Sequence, residues 1–312
     1  RDNFRIVDAA LPAPQDGEAL VRNEWLSLDP YMRGRMSDAK SYVPPVQIGE
    51  VMVGQTVGRV VESRDARLQA GDRVLTQLGW QLYGVAKAGA LVKIDATRIP
   101  ASYYLGVVGM PGMTAWFGLN EIGKPRRDET FVVSAASGAV GSVAGQLAKL
   151  AGCRVVGIAG GREKCDYVER ELGFDACIDH KAGDWQTALR EACPGGIDID
   201  FENVGGGVLD AVLRIMNPFS RVIVCGLVAE YNGPYAHAGL RSVLVNRIRM
   251  QGMIVFDWKD RYHEAVAALR RHVEAGELKY RESIVQGLDN APQGLIDLLA
   301  GRNFGKQLVK LA

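Results

Sequence analysis

The sequence has few histidines and no paired cysteines. His180, His237, His263 and His272 form neither an HExxH nor an HxxxH pattern, so no helical zinc pair is written into it. The five cysteines, Cys153, Cys165, Cys177, Cys193 and Cys225, are odd in number and contain no CxxC. That spacing excludes a four-cysteine structural zinc lobe. It points instead to reduced thiols and a cytoplasmic setting. An excess of either charge is also lacking. Lys and Arg total 37 and Asp and Glu 36, a net of +1, which leaves no bulk electrostatic case for nucleic acid. No apolar run approaches the roughly 18–20 residues of a membrane span. The first 30 residues hold no apolar block behind a basic start, as a signal peptide would. No internal repeat and no low-complexity linker separates the chain into beads.

What is present is an ordinary globular composition with one excess. Hydrophobic residues make up 47% and charged residues 23%, so a sizeable core is available, while glycine reaches 37 of 312 residues. Glycine at that level points to tight turns or close backbone approach to a ligand. At roughly 100–200 residues per domain the length suggests two domains.

Residues 1–110 read as β-rich. Glu18–Trp25, Val51–Glu62 and Arg73–Gln77 are strand-like runs between Gly, Pro and Asp turns, the pattern of a twisted antiparallel or barrel-like unit. The texture then changes to alternation. Strands are expected at Thr130–Ala135, Arg154–Ile158, Ala176–Asp179, Ile197–Phe201 and Arg221–Cys225. Helices are expected at Ser142–Leu150, Glu163–Leu172 and Gly207–Met216. Such alternation implies right-handed crossovers and a parallel sheet, an α/β nucleotide fold. Toward the end, Asp260–Ala275 and Ala291–Leu299 read as helices and Gly305–Leu311 as a strand. Met250–Phe256 is strand-like and apolar, either a sheet edge or a cofactor floor.

The most informative segment joins the first strand of that sheet to its helix. It reads Ala136-x-Gly138-x-x-Gly141, a dinucleotide fingerprint with alanine in the first glycine slot. Gly138 admits the pyrophosphate close to the backbone, and Gly141 lets helix and strand pack closely. The helix N-terminus then offers N–H groups to the anion. An acidic residue at the end of the second strand would grip the ribose of NAD. Here that strand ends Gly160-Gly161-Arg162-Glu163-Lys164. Arg162 or Lys164 suits a 2′-phosphate, so NADP is favoured over NAD.

Together the motifs resemble the medium-chain dehydrogenase/reductase superfamily, and within it the zinc-independent prostaglandin/alkenal reductases and bacterial NADPH-dependent curcumin reductases. The resemblance is carried by Leu28–Arg33 (LDPYMR), Val108–Ala115 (VGMPGMTA), Ala135–Gly141 (AASGAVG), Gly160–Cys165 (GGREKC), Phe201–Gly205 (FENVG), Cys225–Tyr231 (CGLVAEY) and Asn303–Lys306 (NFGK). It implies a Rossmann doubly wound parallel sheet inserted into a GroES-like β-rich substrate domain. The expected divisions are 1–112 for the first part of the substrate domain, 113–281 for the NADP-binding domain and 282–312 for a return segment completing the first. Residue 1 is Arg, and a further strand ahead of it is expected.

The resemblance also implies roles. Gly138, Ala139, Val140 and Gly141 would hold the pyrophosphate and Lys164 the 2′-phosphate, with His180 in a position that is often tyrosine. Asn203, Cys225, Gly226 and Tyr231 would lie along the nicotinamide. Met253, Ile254 and Val255 would give it backbone contacts, and Asn303 would reach the cofactor from the returning C-terminus. Tyr31 and Met110 are substrate-pocket candidates, with Met32 and Tyr235 behind them. No metal is expected, so no alcohol is activated as a metal alkoxide. That leaves acceptors that are already electrophilic, such as α,β-unsaturated ketones and aldehydes, with Tyr231 as the proton-bearing donor to the developing enolate oxygen. The alternatives are a quinone reductase of the same superfamily and a non-catalytic NADPH-binding sensor. A small-molecule conjugated carbonyl is the expected partner, with neither nucleic acid nor membrane, and relatives are commonly homodimers.

Overall fold

The structure is a computed structural model that describes residues 2–311. Two compact units divide it. One comprises Arg1–Gly106 and Glu282–Ala312, the other Val107–Arg281. The first unit opens with β1 (Glu18–Ser27), the one-turn helix α1 (Tyr31–Gly34), β2 (Thr56–Ser63), β3 (Arg73–Thr76), β4 (Tyr83–Lys87) and β5 (Val92–Lys93). β2 starts later than its hydrophobic run suggests. The Met52 and Gly54 carbonyls accept the Trp80 and Gly79 N–H groups of a neighbouring loop, so residues 51–55 are irregular.

The second unit alternates strand and helix. It runs α2 (Met110–Phe117), β6 (Thr130–Ser134), α3 (Gly141–Leu150), β7 (Arg154–Ala159), α4 (Arg162–Arg170), β8 (Ala176–Asp179), α5 (Trp185–Ala192), β9 (Ile197–Glu202), α6 (Gly206–Leu213), β10 (Met216–Val224), α7 (Leu240–Val245), β11 (Arg249–Gly252) and α8 (Tyr262–Glu274). The chain then returns to the first unit as β12 (Glu282–Gln286), α9 (Ala291–Leu299) and β13 (Lys306–Lys310).

In the second unit the sheet order is β11-β10-β9-β6-β7-β8, and its pairs are parallel. This is the doubly wound order, with β6 the first strand in sequence and the reversal of winding between β6 and β9. Ligands of such sheets bind at that reversal, outside the carboxyl ends of the strands. All five residues of β6 are buried, as a central strand covered on both faces requires.

Three sequence expectations shift here. The helix expected to Met216 ends at Leu213, and Met216 begins β10. Asn217 and Pro218 then lie inside a strand. The β9–β10 register breaks between Met216 and Arg221, so the proline falls in an irregularity where no ladder N–H is needed. Met250–Phe256 divides into the edge strand β11 and a 3-10 run over Val255–Arg261. α2, α5 and α7 were not anticipated as helices.

In the first unit the sheet order is β12-β13-β1-β2-β3-β5, with β4 also on β1. β12 and β13 are parallel, and the rest antiparallel. One hydrophobic cluster joins Leu26, Leu28, Met32 and Trp80 to Ala291, Leu295 and Val309 of the return segment. A buried ion pair joins the same pieces. Lys306, 1% exposed, donates from Nζ to Asp29 Oδ1 at 2.9 Å and to Leu28 O at 2.7 Å. No helix among the described residues is long and apolar enough to cross a membrane.

Candidate active site

The turn after β6 is wound tightly. Ala135 has φ +50°, an uncommon state for a residue with a Cβ. Its carbonyl accepts the Gly138 N–H at 2.8 Å. A Cβ added to Gly141 would lie 2.4 Å from the same carbonyl oxygen, and one on Gly138 would lie 3.0 Å from it. Only glycine therefore lets the helix start this close to the strand end. Gly138, Ala139 and Val140 are half-buried, and the first N–H groups of α3 have no partner within the helix. The turn and helix start fit a pyrophosphate.

A buried hydrogen-bond net ties this turn to the one after β9. Ser134 Oγ donates to Glu202 Oε1 at 2.5 Å and accepts the Asn203 N–H at 2.7 Å. Asn203 Nδ2 donates to Ser134 O at 2.8 Å. The same Glu202 oxygen accepts the N–H groups of Val204 and Gly205. The two loops at the reversal of winding are thus fixed to each other. Burial raises the Glu202 carboxyl above its usual range, although these donors oppose the shift. Burial and the Glu202 charge raise Asp200, also on β9, well above its own. Ser134 carried no motif signal, and Glu202, though inside the FENVG motif, was assigned no role, since only the parallel pairing of β6 with β9 brings the two together.

The end of β7 faces a cluster of cations. A Cβ on Gly160 would come within 3.0 Å of both His180 Nε2 and Lys181 Cε. Burial, and then Lys181, depress the Lys164 ammonium. His180 is also depressed, by burial, Lys181 and, less strongly, Lys164. These residues therefore sit together, with His180 neutral near pH 7. Arg162 is directed elsewhere, in a 2.8 Å pair with Asp166 one turn along α4. Lys181 was not among the sequence candidates, although it follows His180 directly. Two cations and a neutral imidazole around two glycines suit a phosphate dianion.

Beyond β10, the Cys225 and Gly226 N–H groups are both bound to Glu202 O. Burial, and then Glu202, push the Cys225 thiol up to about 12, so it is protonated at neutral pH. The Tyr231 hydroxyl lies 3.7 Å from where a Gly226 Cβ would stand, and Asn203 O lies 3.2 Å from the same point. Tyr231, Gly226 and Asn203 are thus neighbours at the carboxyl ends of β9 and β10. Met253 is buried, and its N–H is taken by Val224 O. Ile254 and Val255 follow it where the 3-10 run begins.

The remaining candidates are placed by their own units. Met110 is half-buried in the first turn of α2. Tyr31 is half-buried on α1, its phenol raised by burial and by Asp29. Met32 is fully buried in the core of the first unit, so it is packing rather than pocket wall. Asn303 donates from Nδ2 to Gly305 O at 2.8 Å. Tyr235 lies against Gly206 and Gly207 at the start of α6. Among the described residues no group of three or more His, Cys, Asp or Glu side chains is arranged to hold a metal ion.

Comparison with known proteins identifies the family. Residues 1–94 match the family described as "N-terminal domain of oxidoreductase", and residues 139–271 the family described as "Zinc-binding dehydrogenase". The chain is 50% identical to the NADPH-dependent curcumin reductase of Escherichia coli (strain K12), over 100% of this chain and 92% of that protein. It is 42% identical to a 2-alkenal reductase (NADP(+)-dependent) of Nicotiana tabacum, over 99% and 92%. The crystal structure of CurA in complex with NADPH from Vibrio vulnificus superimposes with a TM-score of 0.94 at 49% identity, covering 100% of this chain and 95% of that one.

Proposed function

The chain belongs to the zinc-independent medium-chain dehydrogenase/reductase family, and from that premise we propose that it reduces the C=C bond of α,β-unsaturated ketones and aldehydes with NADPH. It is an NADP-dependent oxidoreductase. The observation that carries the substrate class is the Tyr231 hydroxyl set beside Gly226 and Asn203, where the strand ends meet.

NADPH, when bound, supplies the hydride. The glycine turn and the start of α3 bind its pyrophosphate, and Lys164 and Lys181 bind its 2′-phosphate. Asn203, Cys225, Gly226 and the backbone of Met253–Val255 line the nicotinamide side. Tyr231 then acts on the substrate. Its phenol donates a hydrogen bond to the carbonyl oxygen. As hydride reaches the β-carbon, charge builds on that oxygen and the hydrogen bond strengthens. The bond is worth more in the transition state than in the bound substrate, so it raises kcat rather than affinity.

The test pairs an acceptor panel with one variant. NADPH consumption should require a conjugated enone or enal and leave the carbonyl intact in the product. Loss of one such donor costs about 10²–10³ in kcat, and Tyr231→Phe should approach that loss with little change in the KM for NADPH. Reduction of simple ketones but of no enone would overturn the substrate class. We further propose a cytoplasmic homodimer. Five free thiols suit a reducing compartment. The edge strand β11, beside the exposed Leu240, Leu244 and Val245 of α7, suits pairing across a two-fold axis. Light scattering reads the mass directly.

A further inference from the structure

The segment carrying Tyr231 has little secondary structure of its own. A single 3-10 turn spans Val228–Glu230, and open chain continues to Gly239. Side chains fix it instead. Glu230 Oε1 accepts the Gly206 N–H at 2.8 Å, at the first residue of α6. The same oxygen lies 3.1 Å from His237 Nε2. The other ring nitrogen, Nδ1, lies 3.1 Å from Asp210 Oδ1 on α6. The Asp210 carboxylate also accepts the N–H groups of Ala238 and Gly239, at 2.9 and 3.0 Å. One imidazole therefore spans two carboxylates. It closes the loop on itself, from its head at Glu230 to its tail at His237, and fastens both to α6.

Two neighbours show that the arrangement is built. A Cβ on Gly205 would stand 2.4 Å from Glu230 Oε1, so glycine there makes room for the carboxylate. The Tyr235 ring meets His237 edge-on at 5.0 Å between centroids, and lies over Gly206 and Gly207. Tyr231 follows Glu230 directly, so a fixed Glu230 fixes the backbone from which Tyr231 extends.

We propose that His237 is a positioning residue for Tyr231: bridging Asp210 and Glu230, it holds the Tyr231 loop against α6 in the geometry that donates to the substrate oxygen. The inference rests on the donor role assigned to Tyr231. It requires that His237 act through that residue and no other.

Two variants of the intact enzyme test it. His237→Phe keeps an aromatic ring against Tyr235 but removes both hydrogen-bonding nitrogens. His237→Gln presents amide N–H donors in place of the ring nitrogens. His237→Phe should lower kcat by about 10-fold or more, since small misplacements of a reacting group carry costs of that order. The KM for NADPH should change little, and His237→Gln should recover most of the loss. Amide exchange over 228–239 should quicken in His237→Phe alone. In a Tyr231→Phe background, His237→Phe should cost nothing further in kcat, as expected of two residues acting as a unit. Additive losses in the double variant, an unchanged kcat in His237→Phe, or unchanged exchange in the loop would each overturn the proposal. A silent Tyr231→Phe would overturn the donor role itself. A silent His237→Phe beside an impaired Tyr231→Phe would overturn His237 alone.

Discussion

Replacing Lys164 with alanine should convert a preference for NADPH into near indifference. Lys164 is half-buried beside Gly160–Gly161, and its ammonium is already depressed by burial and by Lys181. A sheltered cation facing a phosphate forms a charge-assisted hydrogen bond of about 1.5–3 kcal/mol. At about 1.4 kcal/mol per decade, that is roughly 10- to 150-fold in kcat/KM for NADPH. Lys181 is exposed, and solvent screening reduces an exposed pair to about 0.2–1 kcal/mol. Lys181→Ala should therefore cost NADPH only about 1.5- to 5-fold. NADH has no 2′-phosphate, so its kcat/KM should stay level in both variants. The pH dependence follows in sign. A lysine with a lowered pKa loses its charge earlier as pH rises. NADPH affinity should thus weaken as pH rises, at a lower pH than an ordinary lysine would cause, while NADH affinity stays flat. The assay is initial rates with each cofactor at a fixed enone concentration. A parallel fall for NADH, or an unchanged value for NADPH, would refute the assignment of this cluster to the 2′-phosphate.

Two further substitutions test the framework. Gly141→Ala would set a Cβ 2.4 Å from the Ala135 carbonyl, and because the obstacle is backbone the turn itself must move. NADPH affinity by fluorescence titration should fall by about 10-fold or more, ~1.4 kcal/mol, with the circular dichroism of the fold retained; unaltered affinity would count against the turn as the pyrophosphate cradle. Lys306→Met would leave the Asp29 carboxylate buried without its cation, a change that typically costs about 3–5 kcal/mol. It should appear as a clear drop in thermal midpoint, partly restored by adding Asp29→Asn, whereas a midpoint equal to that of the parent would show the pair to be dispensable.

The glycine turn was legible because a fingerprint is local. Gly138 and Gly141 must follow a strand and precede a helix, and Phe131–Leu150 contains all three parts in order. β6 through β10 were legible for the same reason, as short apolar runs spaced by helical ones. α5 was harder, because only Leu189 of its eight residues is fully buried. The corrections fall where tertiary context overrides pattern. Met216 looks like the last turn of a helix, yet β9 recruits it as a strand. Met32, a weak pocket candidate whose commoner role is simple packing, is packed under the return segment.

The sequence by itself determined the parallel-sheet architecture and the dinucleotide turn, and it offered Lys164 as a candidate, whereas Tyr231 came from the family resemblance. Each depends on residues close together in the chain, where backbone geometry limits what a pattern can mean. Tertiary structure decided what lies beside them. It set Glu202 across from Ser134, 68 residues away, and brought His180 and Lys181 to Gly160. It paired Lys306 with Asp29 across 277 residues. It also put His237 between two carboxylates. Hydrogen bonds and charges act over a few ångströms of space, and separation along the chain does not report that distance.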